Sequence, residues 1–591
     1  MKVQGLAAAP PLEQPGESTF LASYLQYWGS ETPSQTAITY IDYDADRRGV
    51  ERSVDYATLD RWVRALAARI DELTAPGDRV ALVAPQGIEY GAGFAASVSS
   101  QAVGVPLFAP DLLGQGDRLQ SVVADCDPAV LLTTRAKLDL VRAFGAEHGI
   151  GDDHILAIDD YRDASEALVA QYAFPADRTL DDIAYLQYTS GSTRIPVGVA
   201  LTHRNLVDNV LQIRRAFDIT FADATTVSWL PLFHDMGLVL GVASPMVGGL
   251  ESVLLDPVAF ILKPLRWLQA INGRRNVMTA APNFAFDFVA KRVRPEDREG
   301  LDLSGVTGWI NGAEPVLAST LERFAETFAA CGVTDTAVKA TYGLAEATVF
   351  VATSPLDEPS RVIEVDSEQL QQGIANTTVT SAMRPTTLVS CGRPVGQQLA
   401  IVDPETRELL PDGSVGEIWL HGTNIGAGYW QRPDDTEALF NAKLLGGGSD
   451  RPVDHWLRTE DLGVVVDGRF YVTGRIKDLV IIDGRNIYPH DVEYTVEESH
   501  DAIAQRRLAA FSVPTDGGEA LVVVAERYRH AGDVTGQLAE ITAAARAAVS
   551  QEHAVALHDF VLIEPDTIAR TSSGKIARKA TRTAYLAGDL S

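Results

Sequence analysis

Short apolar segments alternate along the chain with segments in which apolar residues recur at helical spacing. Behind Thr58, a candidate N-cap, apolar residues at positions 59, 62, 63, 66, 70 and 73 fall on one helical face. The run AVLLTT at 129–134 reads as a buried strand, and residues 197–202 lead into a helix capped by Thr202. Such alternation favours largely parallel sheets covered by helices. The sequence therefore predicts an α/β fold of layered sheets.

A chain of 591 residues is too long for one hydrophobic core, so at least one smaller domain should accompany a large one. The pattern changes after Gly474, where a short strand at 479–482 and a glycine turn begin a smaller set of helices and strands. We predict a large N-terminal domain over 1–474, a hinge at 475–478 and a small α+β domain over 479–591.

Composition excludes several classes of protein. The net charge of −29 argues against nonspecific binding to nucleic acid or to an anionic membrane. The longest uncharged apolar run, 236–250, is too short to span a bilayer and is typical of buried core. The N-terminus has no sustained apolar core of a secretory signal. With only three scattered cysteines, we expect a cytoplasmic protein with no integral membrane segment.

The stretch YTSGSTRIPVG, residues 188–198, carries hydroxyl and glycine residues suited to wrapping a polyphosphate. It is not a Walker A loop, because no Gly-Lys-Ser/Thr follows. By itself such a stretch is most often a surface turn. A phosphate site here would need its positive charge from elsewhere in the chain.

Further motifs give this loop a context. FHDMGL begins at Phe233, NGAEP at Asn311 and TYGLAEAT at Thr341. They are followed by GEIWLHGTNIGAGYW from 416, WLRTEDLG from 456, GRIKDLVIIDGRNIYP from 474 and RTSSGKIARK from 570. The ordered set, which covers nearly the whole chain, resembles the adenylate-forming superfamily of acyl-CoA synthetases, peptide-synthetase adenylation domains and luciferases. The residues STRIP within the loop and the long polar segment 354–390 are most similar to those of the fatty acyl-AMP ligases.

The resemblance implies an ATP- and Mg²⁺-dependent enzyme that converts a medium- or long-chain fatty acid to an acyl-adenylate with release of pyrophosphate. It further implies transfer of the acyl group to the phosphopantetheine arm of an acyl carrier domain, typically of a polyketide synthase. It also implies that the small domain is mobile and turns about Lys477 at the hinge. Residues 354–390 would be a family-type insertion, and a loop of that length is usually functional or an insertion.

The resemblance also assigns roles to single residues. Lys575 would reach the α-phosphate and the carboxylate, Glu346 would hold Mg²⁺, and His234 would lie in the catalytic pocket. The residues that would bind the nucleotide are Thr189, Ser190, Gly191, Ser192, Thr193, Gly312, Ala313, Glu314, Thr341, Tyr342, Gly343, Leu344, Asp461 and Arg475. The residues that would border the acyl pocket are Met236, Gly237, Asn283, Phe284 and Phe286.

Some of these assignments have plain structural alternatives. The phenylalanines at 284, 286 and 288 could instead be core residues at strand spacing. Val197 stands where many relatives carry lysine, and Arg194 and Glu460 stand where glycine is usual. Glu460 could crowd the ribose, repel phosphate or point to solvent. Two other functions stay open, an acyl-CoA synthetase and a catalytically silent lipid- or nucleotide-binding protein. Packing of 354–390 against the small domain would favour the ligase over the CoA synthetase.

Overall fold

The computed structural model describes residues 19–112, 116–189, 196–219, 224–449, 451–482, 485–515, 518–532, 534–571 and 575–590. Within these residues the helices are α1 (Leu21–Glu31), α2 (Tyr56–Leu73), α3 (Ile88–Ser99), α4 (Gly116–Cys126), α5 (Leu138–Glu147), α6 (Glu166–Val169), α7 (His203–Ala216), α8 (Asp235–Leu238), α9 (Ser244–Gly248), α10 (Pro257–Leu262), α11 (Leu265–Ile271), α12 (Asn283–Arg292), α13 (Pro295–Arg298), α14 (Ala318–Phe328), α15 (Ser367–Gln371), α16 (Pro433–Phe440), α17 (Pro489–Glu498), α18 (Leu538–His553) and α19 (Arg578–Ala587).

The strands within the same residues are β1 (Thr36–Asp42), β2 (Val50–Asp55), β3 (Arg79–Ala84), β4 (Val103–Phe108), β5 (Val130–Thr133), β6 (Ile155–Ala157), β7 (Ile183–Tyr188), β8 (Gly198–Thr202), β9 (Thr225–Ser228), β10 (Glu251–Leu255), β11 (Val277–Pro282), β12 (Val306–Gly312), β13 (Val338–Tyr342), β14 (Ala352–Thr353), β15 (Val362–Val365), β16 (Thr386–Val389), β17 (Arg393–Pro394), β18 (Gln398–Val402), β19 (Gly416–His421), β20 (Gly428–Tyr429), β21 (Leu457–Val466), β22 (Arg469–Arg475), β23 (Val480–Ile482), β24 (Arg485–Ile487), β25 (Ile503–Thr515), β26 (Gly518–Arg527) and β27 (Leu557–Ile563).

Two large sheets form the N-terminal part of the molecule. One has the strand order β17-β14-β13-β12-β11-β9-β10-β1-β2, and the other has the order β20-β8-β7-β4-β3-β5-β6. The pairs from β13 through β12, β11, β9 and β10 to β1 are parallel, as are those joining β7, β4, β3, β5 and β6. Antiparallel strands close the edges. The predicted α/β class with largely parallel layers is confirmed.

The smaller sheets lie toward the C-terminus. β18, β19, β21 and β22 form an antiparallel sheet, and β25, β26 and β27 form a second sheet flanked by α17, α18 and α19. Many of the buried apolar residues between Val480 and Phe560 form one core cluster, all of whose buried members follow residue 479. The boundary that the sequence predicts at 475–478 stays a prediction, although this separate core is compatible with it.

Two helix starts test the capping predictions. Thr202 caps α7 as predicted, and its side chain and that of Asn205 form a reciprocal capping box. The Thr58 prediction is wrong, because α2 begins at Tyr56 and the side chain of Asp55 accepts the Thr58 N–H at 2.8 Å. Aspartate and threonine are both good N-caps, so the local sequence did not decide between them. No helix in the described ranges has the length and apolar character needed to cross a bilayer.

Candidate active site

The candidate site is built at the carboxyl ends of four neighbouring parallel strands, β9, β11, β12 and β13. The segments that follow these strands carry most of the motif residues, because FHDMGL comes after β9, Asn283 after β11, Ala313 after β12 and Glu346 after β13. Ligands in open α/β sheets bind at this edge of the strands. Motifs that are far apart along the chain therefore lie together in space.

Close backbone packing explains two glycines in these segments. A Cβ on Gly312 would lie 2.5 Å from the Thr341 hydroxyl oxygen, and one on Gly343 would lie 1.7 Å from the Val349 carbonyl oxygen. Ala313, which follows Gly312, has a φ of 65°. A larger residue at Gly312 would push the ends of β12 and β13 apart, and one at Gly343 would open the turn that brings Gly343 against Val349. These glycines keep the backbone around Tyr342 compact.

Tyr342 joins a hydrogen-bonded chain that reaches the hinge region. Its hydroxyl donates to Asp461 Oδ2 at 2.8 Å, and the other oxygen of that carboxylate lies 2.8 Å from Arg475 Nε. Asp461 and Arg475 are also direct partners in the β21–β22 ladder. Burial, and then the Asp461 charge, hold the pKa of Tyr342 well above its ordinary value. Residues 119 positions apart are thus fixed together.

Glu346 lies in a short 3₁₀ turn after β13. Its Oε1 accepts the Tyr429 hydroxyl at 2.8 Å, and its carbonyl accepts the Gly426 N–H at 2.9 Å. Burial raises the pKa of Glu346, while the Tyr429 bond and the Arg475 charge oppose that rise. Tyr429 is the only side chain that hydrogen-bonds this carboxylate among the residues that the structure describes. The carboxyl group is therefore held in place by one side chain beside the site.

The YTSGSTRIPVG loop connects the antiparallel strands β7 and β8, which pair Tyr188 with Gly198. Thr189 donates its N–H to the Val197 carbonyl at 3.1 Å. Its own carbonyl accepts a bond from Arg118 Nη2, on α4, at 3.2 Å. Ser190, Gly191, Ser192, Thr193 and Arg194 lie outside the described residues. Arg118 is a cation beside the loop that the sequence pattern did not single out.

The segment after β9 brings an unpredicted carboxylate to the site. His234 precedes α8, with its ring centroid 4.6 Å from that of Phe233. Asp235 follows, accepts the Met236 N–H at 2.7 Å and interacts with the charge of Lys575. Burial raises the pKa of Asp235, and the lysine opposes that rise. The only sequence signal for this carboxylate is the position of Asp235 beside His234 in the FHDMGL motif.

Lys575 reaches this cluster from the C-terminal part of the chain. Its half-buried side chain interacts with the charges of Arg475, Asp235, Glu314 and Asp461. Burial, and then Arg475, lower the pKa of its ammonium group. The structure thus brings Lys575 together with residues that follow β9 and β12 and with Asp461 in β21. Lys477 lies elsewhere, in an exposed 3₁₀ turn, where its ammonium pairs with Glu460 at 2.7 Å.

A small cavity of about 40 Å³ opens between these residues. It is lined by Asp235, Met236, Ala313, Thr341, Tyr342 and Gly343, together with the apolar residues Ile213, Phe217, Leu240, Ile310, Val349 and Phe350. Nucleotide candidates and one acyl candidate therefore share one cavity. Ligand pockets usually measure roughly 300 Å³ or more, so an acyl chain would require side chains to move. The apolar lining was not predicted, because Ile213 and Phe217 are indistinguishable in sequence from ordinary core residues.

The other acyl-pocket candidates do not line this cavity. Phe284 and Phe286 lie in α12, so the alternative of strand spacing is wrong. Phe286 is fully buried and its ring lies 5.0 Å from that of Phe324. Asn283 is also buried, and its Oδ1 accepts a bond from the Asn311 side chain at 3.1 Å. A Cβ on Gly237 would lie 2.2 Å from the Pro231 carbonyl oxygen, which makes this glycine a packing requirement.

Comparison with known proteins agrees with this geometry. Residues 25–430 match the AMP-binding enzyme family, and residues 477–591 match the AMP domain of the Disco-interacting protein 2-like family. A solved structure from work on fatty acyl-adenylate ligases of E. coli and L. pneumophila has a TM-score of 0.83 and 32% identity, covering 97% of this chain and 99% of that one. A fatty acyl-adenylate ligase from L. pneumophila, solved with acyl adenylate and pyrophosphate, has a TM-score of 0.72 and 31% identity, covering 96% of each chain.

The relatives in sequence point to the same branch. The chain is 39% identical to the long-chain-fatty-acid–AMP ligase FadD26 of Mycobacterium marinum, over 95% of this chain and 96% of that protein. Such identity across nearly the full length, with the AMP-binding match and the site at the strand ends, identifies the family. The chain belongs to the long-chain-fatty-acid–AMP ligases, a branch of the ATP-using, adenylate-forming enzymes.

Proposed function

We propose that this enzyme joins a medium- or long-chain fatty acid to AMP and then passes the acyl group to the phosphopantetheine arm of an acyl carrier domain. In the first step a fatty carboxylate oxygen bonds to the α-phosphorus of ATP, and the bond to pyrophosphate breaks. The observation that carries the proposal is Lys575, which reaches from the C-terminal part of the chain to the residues around Asp235, Glu314 and Asp461.

The need for a cation follows from the charges of the reactants. A carboxylate and a phosphate about 4 Å apart repel by roughly 4 kcal/mol at an effective dielectric constant near 20. Uncompensated, this repulsion would slow the reaction about a thousandfold. An ammonium group held at the site offsets it in the transition state. In-line displacement requires positioning and charge stabilisation rather than an acid–base pair. We therefore assign this role to Lys575.

Glu346 is the proposed ligand for Mg²⁺. One carboxylate suits this ion, which in nucleotide sites usually takes one or two carboxylates together with phosphate oxygens. The raised pKa of Glu346 marks a carboxylate that burial penalises and that a bound cation would favour in its charged form. Bound there, Mg²⁺ would neutralise phosphate charge as pyrophosphate leaves.

The nucleotide itself would contact the turns after β12 and β13. Tyr342 offers an aromatic face for adenine beside Gly312 and Ala313. Asp461 accepts one bond from Tyr342 and forms an ion pair with Arg475. A carboxylate can accept about four hydrogen bonds. Ribose hydroxyls can therefore bond to Asp461 without breaking either contact. Thr189 and the adjoining loop are assigned to the phosphates.

A carrier domain is favoured over CoA by the packing of residues 354–390. Apolar residues of this segment, including Ile363 and Leu370, share a core cluster with Tyr488 of the small domain and pack against Ile476 and Leu479. Gln371 also donates to the His553 carbonyl, at 3.4 Å. These contacts would resist the rotation about Lys477 that a CoA-accepting orientation needs. A polyketide synthase carrier domain remains the proposed partner.

A cytoplasmic location completes the proposal. Its support is chemical, since Cys126, Cys331 and Cys391 are all buried free thiols, which suits a reducing compartment.

Mass spectrometry of products from a mixed pool of fatty acids tests the proposal in one experiment. The enzyme is incubated with ATP and Mg²⁺, alone, with CoA, or with a phosphopantetheinylated carrier domain. We expect acyl-adenylates in every reaction, acyl-carrier product in the third and no acyl-CoA in the second. Acyl-CoA as the main product would favour the CoA synthetase. Failure to form an adenylate with any acid from about C8 to C20, despite ATP binding, would favour a silent binding protein.

A further inference from the structure

Arg506 lies at an irregularity in the long strand β25. The β25–β26 pairing shifts register between Ile503 and Leu508, and Arg506 within this interval has a φ of 57°. Residues that carry a Cβ rarely adopt this left-handed backbone conformation. Its N–H donates to Glu497 Oε2 at 2.6 Å, which holds the irregular backbone. Bulges of this kind redirect a side chain away from its strand, and strain of this kind is retained where a contact requires it.

The redirected side chain meets α12 of the N-terminal part. Arg506 Nη2 lies 3.7 Å from Asp287 Oδ2, and the Asp287 side chain is only 9% exposed. Lys291, one turn further along α12, donates to the Gln505 side-chain oxygen at 3.0 Å. Two consecutive residues of β25 therefore contact one face of α12. An ion pair with a nearly buried partner is screened less than a surface pair.

The same arginine touches the segment that carries Lys575. The Arg506 carbonyl accepts a bond from Arg570 Nη2 at 3.2 Å. Arg570 in turn forms an antiparallel bridge with Ile576, and the Thr571 N–H donates to the Lys575 carbonyl at 2.8 Å. The base of the turn bearing Lys575 is thus fixed to Arg506. A displacement of Arg506 relative to α12 would displace the lysine as well.

A second carboxylate strengthens this interface. Glu314 Oε1 accepts the N–H of Phe284, at the start of α12, at 2.5 Å. Its charge interacts with Arg506, Lys575 and Arg570. Glu314 therefore faces three cations of the C-terminal part. One of them, Arg506, also pairs with Asp287, whose carboxylate pairs within the N-terminal part with Lys291 and Arg323. This arrangement favours one orientation of the two parts, the one in which Lys575 is at the site.

We propose that Arg506 is a positioning residue, which docks the small domain on α12 through Asp287 and so holds Lys575 in place for adenylate formation. The proposal rests on the proposed function, because it names the contact that produces the adenylating orientation. It predicts a loss confined to the first half-reaction, since transfer to the carrier does not require Lys575 at the α-phosphate.

Arg506→Gln, Arg506→Lys and Arg507→Gln are the variants that test it. Arg507 is the matched control, because its guanidinium pairs only with Glu526 and Asp566 of the small domain among the ion pairs of the described residues. We expect Arg506→Gln to lower kcat of fatty-acid-dependent ATP–pyrophosphate exchange about tenfold, with KM for ATP changed less than twofold. Arg506→Lys should recover most of the loss, and Arg507→Gln should match the parent. Transfer from synthetic acyl-adenylate to the carrier should be unchanged in all three.

An inter-domain distance measurement separates this proposal from the proposed function. Labels on cysteines introduced at the exposed positions Glu299 and Gln551 report the orientation, since the three native cysteines are buried. With ATP analogue and fatty acid bound, Arg506→Gln should broaden the distance distribution and Arg507→Gln should not. Equal loss of both half-reactions, or an unchanged distribution with exchange within twofold of the parent, would overturn the proposal. A parent enzyme that makes no adenylate would instead overturn the proposed function, and the distance result would still decide the docking.

Discussion

Glu460 pairs with Lys477 across the junction of the two parts of the chain, its Oε2 lying 2.7 Å from the lysine ammonium. Glu460 also has a φ of 59°, a backbone conformation that glycine adopts without cost. The side chain thus points toward the hinge turn. The sequence suggested that Glu460 could crowd the ribose, repel phosphate or point to solvent. It did not indicate the contact with Lys477.

Glu460→Gly should be nearly neutral, because two small effects oppose each other. Glycine relieves the left-handed backbone, worth about 1 kcal/mol, and removes an exposed ion pair worth at most about 1 kcal/mol. We expect the free energy of unfolding to change by less than about 1 kcal/mol and exchange activity to change less than threefold. Glu460→Gln, which keeps the strained backbone without the charge, should be the less stable variant. A tenfold loss of activity in Glu460→Gly would place the carboxylate at the ribose or the phosphates instead.

Shortening the 354–390 segment should permit CoA to act as acceptor. Val365 and Thr386 are direct partners in the β15–β16 ladder, so residues 366–385 can be replaced by a two-residue Asn-Gly turn. The deletion removes Leu370 from the cluster shared with Tyr488 and removes the Gln371–His553 contact. We expect acyl-CoA to form while adenylation stays within a few-fold of the parent.

Gln371→Ala is the matched control for this deletion, because it removes the His553 contact and leaves the apolar cluster intact. It should produce little or no acyl-CoA. If the deletion variant folds and adenylates normally but forms no acyl-CoA, the segment does not set the choice of acceptor.

The fall of kcat/KM for adenylation at alkaline pH, the alkaline limb of the pH profile, should report the deprotonation of Lys575. Burial and Arg475 lower the pKa of its ammonium group below 10.5, and the charged form is the active one. The value of kcat/KM should therefore fall as pH rises through this lowered pKa, beginning at a lower pH than for an ordinary lysine. In Lys575→Arg, whose guanidinium stays charged, the limb should move to higher pH. An unmoved limb would assign the titration to another group.

His203 should make the fold sensitive to acid. Its ring is 1% exposed, and burial lowers the pKa of His203 to about 3, from about 6.5. Between these values the unfolded chain binds the extra proton, so the free energy of unfolding falls as pH is lowered, by at most about 1.4 kcal/mol per pH unit. Between pH 6.5 and 4 His203→Phe should lose about 3 kcal/mol less than the parent in urea titrations. Parallel curves for the two proteins would show that His203 does not contribute.

Local pattern predicted the elements and the motif loops of this enzyme better than it predicted long-range contacts. The Thr202 cap and the parallel layers follow from spacing and residue type, which act within a few residues. From sequence, the phenylalanines of α12 could be assigned either to the core or to the acyl pocket, because hydrophobicity alone does not say which space a ring faces. Arg506 and Asp287 are 219 positions apart, and nothing near either residue indicates the other. Their contact is a product of how the two parts pack.

Fatty-acid-dependent ATP–pyrophosphate exchange by the parent and by Lys575→Ala is the most direct test of the account. Lys575 is the charge that offsets repulsion between carboxylate and α-phosphate, so its removal should lower exchange by about a hundredfold or more. KM for ATP should change much less, and circular dichroism should show that the variant is folded. Exchange in the folded variant within threefold of the parent would contradict the central claim, that a lysine from the C-terminal part supplies the charge for adenylation.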